Sequence, residues 1–200
     1  MASAVEGLKK RFMAMSQPDK DGVYRDGAAK REARTRLAMD SLKRLWEEAC
    51  REVSFEVPPS GIGLGAVGSL ARGQVGPSSD LDLVVIYEPH AVNDRQLNEL
   101  ANKLWYPIWD SGLDLDQSVR TVAQCEAVTD RDLPAAMGWL DVVPIAGDTR
   151  LITDTATSIL ERWRKAARKR LPELLGSAKS RLDEFGRMAY INQPDIKEAR

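Results

Sequence analysis

The sequence predicts an α/β (α+β) domain: a small mixed sheet flanked by helices, with helical extensions at both ends. Two observations carry this. Three short segments, near 61–67, 80–87 and 113–119, are apolar or alternating in the manner of strands. Between and around them lie long stretches whose apolar residues recur at three- and four-residue steps, the period of an amphipathic helix.

In chain order, residues 1–22 read as a helical turn or two, closed by the turn cluster Pro18-Asp19-Lys20-Asp21-Gly22. A long helix follows over about 27–52, with Leu37, Leu42, Leu45, Trp46 and Ala49 on its apolar side, and Pro58-Pro59 ends it. The strands at 61–67 and 80–87 are joined by a loop holding Gly73, Gly76 and Pro77. A helix over 93–109 sets Leu97, Leu100, Leu104, Trp105 and Ile108 on one face, with Asp94 in its first turn and Gly112 at its end. Trp105 and Trp109 are expected to pack in the core. The strand at 113–119 carries polar groups at the even numbers 114, 116 and 118, and helices are expected near 130–143, 151–175 and 177–190, interrupted around Pro134, Pro144 and Pro172. The expected division is a helical segment over 1–55, a core over 56–150 and a helical segment over 151–200.

Composition narrows the function. A chain of 200 residues, 43% hydrophobic with five tryptophans, can bury a sizeable core. Its 29 basic and 30 acidic residues leave no global positive field, so a nucleic-acid partner is not expected. The basic run Arg162 to Arg170 reads as a solvated helix face. Cys50 and Cys125 stand far apart without metal-ligand spacing, which suits a reducing cytoplasm. His90 is the sole histidine, so a His-rich zinc site cannot be built, and its place after Pro89 suits an exposed loop. Lys9, Lys10 and Arg11 precede no apolar stretch of a signal peptide. No apolar run approaches the length of a membrane span, and a soluble cytoplasmic protein is expected.

The chemistry is concentrated between residues 61 and 87. Gly61 to Val67 reads as a strand ending at Gly68-Ser69, and eleven residues further on Asp80-Leu81-Asp82 opens an apolar strand. Side chains two apart on a strand share a face, so Asp80 and Asp82 lie together while Leu81, Leu83 and Val85 face the other way. Like charges at the head of an apolar strand call for a cation between them, and a hard divalent ion is the natural one. A turn such as Gly68-Ser69 brings backbone N–H groups and a hydroxyl to phosphate, although Ser69 as the cap of the following helical turn would also account for it. Arg72 can offset phosphate charge, although pairing with Asp80 or Glu88 would also account for it. Gly-Ser, a loop and Asp-x-Asp together are the signature of a nucleotidyltransferase, whose chemistry uses two metal ions and a third acid. Asp114 and Asp116, which share a face of the next strand, are the candidates for that acid.

From Ala66 the chain reads AVGSLARGQVGPSSDLDLVVIY, then LWYPIWDSGLDLDQSVRTVAQC and DLPAAMGWLDVVPIAGD. These blocks resemble the N-terminal catalytic domain of the PII-protein uridylyltransferase/adenylyltransferase family, most of all its actinobacterial branch. That family carries a Gly-Gly or Gly-Ser turn, a Gly-Arg-x-Glu loop, Ser-Asp-x-Asp and a segment like LWYPLWD…SVRT. The resemblance covers roughly 35–200 and includes Gly186-Arg187 and Gln193 to Glu198. It departs at Ala71, where the family has Gly, and at Gln74, where it has Glu.

The resemblance implies a polymerase-beta-like nucleotidyltransferase fold. It implies that Asp80, Asp82 and Asp116 are the catalytic, metal-binding acids, with Asp116 preferred to Asp114. Gly68, Ser69 and Arg72 would bind the nucleotide, and Mg²⁺ would be the metal, as two ions, with Mn²⁺ as the substitute. The implied reaction moves UMP or AMP from UTP or ATP to a tyrosine of a PII nitrogen-signalling protein. Family members continue into HD-type and ACT domains, so the resemblance implies a chain truncated before them. The alternatives are another acceptor (glutamine synthetase, a small molecule or an RNA end) and a catalytically silent nucleotide-binding module.

Overall fold

A computed structural model describes residues 3–18, 22, 27–55 and 59–185. The chain runs α1 (Leu8–Ala14), α2 (Gly27–Glu52), β1 (Ile62–Ala66), α3 (Gly68–Ala71), β2 (Leu81–Tyr87), α4 (Asp94–Asp110) and β3 (Leu115–Thr121). It continues α5 (Val122–Arg131), α6 (Leu133–Trp139), β4 (Val143–Gly147) and α7 (Thr149–Phe185). Its contacts divide it into two units, Met1–Ile159 and Leu160–Arg200. The described part of the second unit is helical, with the Arg170 guanidinium 5.4 Å from the centre of the Trp163 ring.

The four strands form one sheet in the order β3-β2-β1-β4. β1 is antiparallel to both β2 and β4, and β2 is parallel to β3, so the sheet is mixed as expected. The parallel pair requires a crossover, which α4 supplies. The pleat of β2 sends alternate residues to two cores. Leu81, Leu83 and Val85 join Phe12, Leu42, Trp46, Leu100, Leu104 and Ile108. Val84 and Ile86 join Cys125, Trp139, Ile152 and Ile159 on the opposite face. A fully buried side chain of this size contributes about 1.5–3 kcal/mol.

Local chemistry starts and stops the elements. Asn93 and Gln96 form a reciprocal capping box at the head of α4, and Thr121 with Gln124 does the same for α5. Asp148 ties three elements together. Its carboxylate accepts from Gly61 N–H and from Leu151 N–H, each at 3.0 Å, and these bonds hold its pKa below the ordinary 3.8.

Four expectations need correction. The region read as a helix over 130–143 is two short helices, α5 and α6, followed by β4, a strand the sequence did not announce. β4 is five residues long, VPIAG, and contains Pro144. Proline lacks a ladder donor but is tolerated on an edge strand, which is where β4 lies. The two helices expected at 151–175 and 177–190 are one helix to Phe185 that passes through Pro172, and residues 186–190 lie outside the described ones. β3 begins at Leu115, so Asp114 precedes it. Trp105 is buried as expected, whereas Trp109 is exposed and meets Tyr106 edge-on at 5.5 Å.

Candidate active site

The site forms where β1 turns into α3 alongside the start of β2. Val67 N–H donates to the Asp82 carbonyl at 3.0 Å, which fastens the turn to β2. Gly68 follows with φ +63°, and a Cβ placed there would collide with the Asp82 carboxylate. Glycine takes that backbone conformation without strain and, having no Cβ, lets the turn lie against the acid. Ser69 sits within the single turn of α3, whose N-cap, Val67, makes no side-chain bond, so Ser69 is not the cap.

The parallel register aligns Asp82 with Asp116 across β2 and β3. Partners in register share a face, so both carboxylates stand on the side of Val84 and Ile86. Asp80 lies just before β2, where Leu81 N–H donates to the Asp114 carbonyl at 2.9 Å. Asp114 is therefore engaged through its backbone beside Leu81, while Asp116 is the acid in line with Asp82.

Charge is unevenly borne within the group. Burial raises the Asp82 pKa first, and the nearby Asp116 and Asp80 carboxylates raise it further, while Arg72 lowers it. Arg72 forms an ion pair across to another segment of the fold. Its Nη1 lies 3.0 Å from Oδ2 of Asp141, in the segment between α6 and β4. Asp141 is a residue of this site that the sequence reading missed, since the strand that carries it in was itself unannounced.

Asp82 and the two acids beside it, Asp80 and Asp116, are carboxylates of the hard-oxygen kind that suits Mg²⁺. Among the described residues no three acidic, histidine or cysteine side chains are drawn together closely enough to form a ready ligand cage. The carboxylates are near enough to repel one another, and a divalent cation would relieve that repulsion. The chemistry of these carboxylates suits a divalent cation, although they do not form a closed ligand cage in this structure.

Residues 42–133 match the family described as Nucleotidyltransferase domain, a span that holds the glycine turn, Asp80, Asp82 and Asp116. The chain carries a nucleotidyltransferase domain. Its similarity to particular proteins is narrower: over most of its length it is related to enzymes named bifunctional uridylyltransferase/uridylyl-removing enzyme. That of Streptomyces coelicolor is 39% identical over 176 residues, covering 88% of this chain and 20% of the relative. That of Corynebacterium glutamicum is 40% identical over 144 residues, covering 72% and 20%. That of Mycobacterium tuberculosis is 36% identical over 141 residues, covering 70% and 17%. The chain thus spans about a fifth of the length of these relatives. Among the described residues no helix is long and apolar enough to cross a membrane.

Proposed function

We propose that this chain transfers a nucleoside monophosphate, UMP from UTP or AMP from ATP, to a tyrosine hydroxyl of a PII nitrogen-signalling protein in the cytoplasm. The observation that carries this reading is the alignment of Asp82 with Asp116 beside the Gly68 turn. The uridylyltransferase name borne by its relatives supports UTP as the first donor to test.

In the reaction the tyrosine oxygen forms a bond to the α-phosphorus, the α–β phosphoanhydride bond breaks, and pyrophosphate leaves. Asp116, the most exposed of the three acids, takes the phenolic proton. Gly68 and Ser69 hold the β- and γ-phosphates through backbone N–H groups and the Ser69 hydroxyl. Arg72 turns from Asp141 to the triphosphate, exchanging one ion pair for a charge-assisted one. Asp80, Asp82 and Asp116 would hold two Mg²⁺ ions, with Mn²⁺ as a substitute, and these supply charge neutralisation for the entering and leaving oxygens.

The test is mass spectrometry of a PII protein incubated with the chain, Mg²⁺ and either UTP or ATP. The expected product gains one UMP or AMP on tyrosine, and the gain is lost with Asp80→Asn/Asp82→Asn. Pyrophosphate release without modification of the PII protein would remove the acceptor and leave the transferase. No nucleotide turnover with any acceptor would remove the reaction.

A further inference from the structure

Among the described residues β3 is an edge strand and pairs with β2 alone. Leu81 N–H donates to the Asp114 carbonyl, and in a parallel ladder a residue bonded to one position accepts from the position two further along. The ladder therefore spends the backbone groups of Asp116, Ser118 and Arg120 on β2. Those of Leu115, Gln117 and Val119 turn outward, and among the described residues no hydrogen bond engages them. Asp116 and Gln117 are both exposed. Consecutive strand residues point to opposite faces, so neither core covers this stretch of the edge.

We propose that this edge receives the acceptor protein as a fifth strand, in extended form, with its hydroxyl-bearing side chain beside Asp116. The inference rests on the transfer reading above and specifies how the acceptor is presented. An antiparallel segment bonded to the outward groups of Gln117 places another of its residues opposite Asp116 in a non-hydrogen-bonded pair. In such a pair the Cα atoms are about 4.5 Å apart and the two side chains share a face. That face carries Asp82, one strand further in and about 4.8 Å away. Acceptor hydroxyl, Asp116 and Asp82 then occupy successive rows of one surface, with the proton-accepting acid between the nucleophile and the turn that holds phosphate. Binding through the main chain asks for an extended segment, and the single side chain directed at Asp116 supplies the chemistry.

Amide exchange of the wild-type chain, read residue by residue by NMR with a non-hydrolysable UTP analogue and a PII protein, tests the docking directly. The Gln117 and Val119 amides are expected to slow about tenfold or more when the PII protein binds. Unchanged exchange at these amides with the PII protein bound overturns the inference. So does slowing that follows the chain's own concentration without PII protein, which would put a second copy on the edge. In parallel, Gln117→Pro removes an outward donor at a position where an edge strand tolerates proline. Transfer to the PII protein should fall about tenfold relative to Gln117→Ala, with UTP affinity unchanged. Equal transfer by the two variants overturns the inference. Edge protection by a PII protein to which nothing is transferred would keep the docking surface and remove the reaction proposed above.

Discussion

Asp82 is held against its own charge. It is half-buried at the head of β2, with Asp116 beside it in register and Asp80 just upstream, and all of this raises its pKa. A carboxyl whose folded-state value lies above its unfolded one destabilises the fold when ionised. The penalty is absent below the ordinary 3.8, where the group is protonated in both states, and develops as pH rises through the raised value. Asp82→Asn should therefore raise the Tm of the metal-free chain at neutral pH by about 2–4 °C, the shift that roughly 1 kcal/mol produces at this size. The gain should vanish at pH about 3, and transfer activity should be lost. Mg²⁺ should raise the wild-type Tm and have little effect on that of Asp82→Asn. Calorimetry across pH and Mg²⁺ reads all three, and a lower Tm for the variant at neutral pH would contradict the arrangement.

At the level of elements, the loop from Arg72 to Asp80 is held from beneath by α2. Arg34, 5% exposed, donates from Nε to the Val75 carbonyl at 2.9 Å and from Nη1 to Ser16 Oγ at 3.0 Å. Thr35 Oγ1 accepts from Val75 N–H at 3.4 Å, so both backbone groups of Val75 are satisfied by α2. Arg34→Met keeps the apolar stem but leaves the Val75 carbonyl without its donor. It should cost about 1–3 kcal/mol in urea denaturation, with a raised KM for nucleotide because both ends of the loop carry site residues. An unchanged KM would confine Arg34 to stability.

How much could be read beforehand follows the same physical lines. α2, β1, β2 and α4 were legible because each is long or strongly patterned, and Asp80, Asp82 and Gly68 lie on the legible part. β3 was seen, though two residues early, because Leu113 and Asp114 continue its alternation without belonging to its ladder. β4 was not, since VPIAG is short and its proline argues against a strand until the edge position is known. Arg72's partner lay beyond that gap and could not be named. The exposure of Trp109, at the end of α4, depended on how far the neighbouring elements reach, which periodicity does not report.

The first unit is a sheet with a separate core on each side, and each core contains one cysteine. Cys50 belongs with Phe12, Leu42 and Trp46, while Cys125 belongs with Val84, Trp139 and Ile152. Burial pushes both thiols up to about 12, so neither reacts until its core opens. Under native conditions, alkylation followed by peptide mapping should label the two at a common rate if the sheet and both layers open together. Faster labelling of Cys125 would show that the helices on its side detach first.

The in-register meeting of Asp82 and Asp116 also makes the site a matter of parity. The two acids are joined through α4 and the turn at Gly112, and each residue of β3 alternates between the faces of the sheet. Were one residue inserted in that turn and absorbed by sliding β3, every side chain of the strand would change sides. Asp116 would then point into the apolar layer beneath α4, while its neighbour Leu115 or Gln117 took its place. An insertion of two would restore the facing with a different residue in the acid's position. In descendants of this sequence, the length of that connection should therefore drift far less freely than its composition.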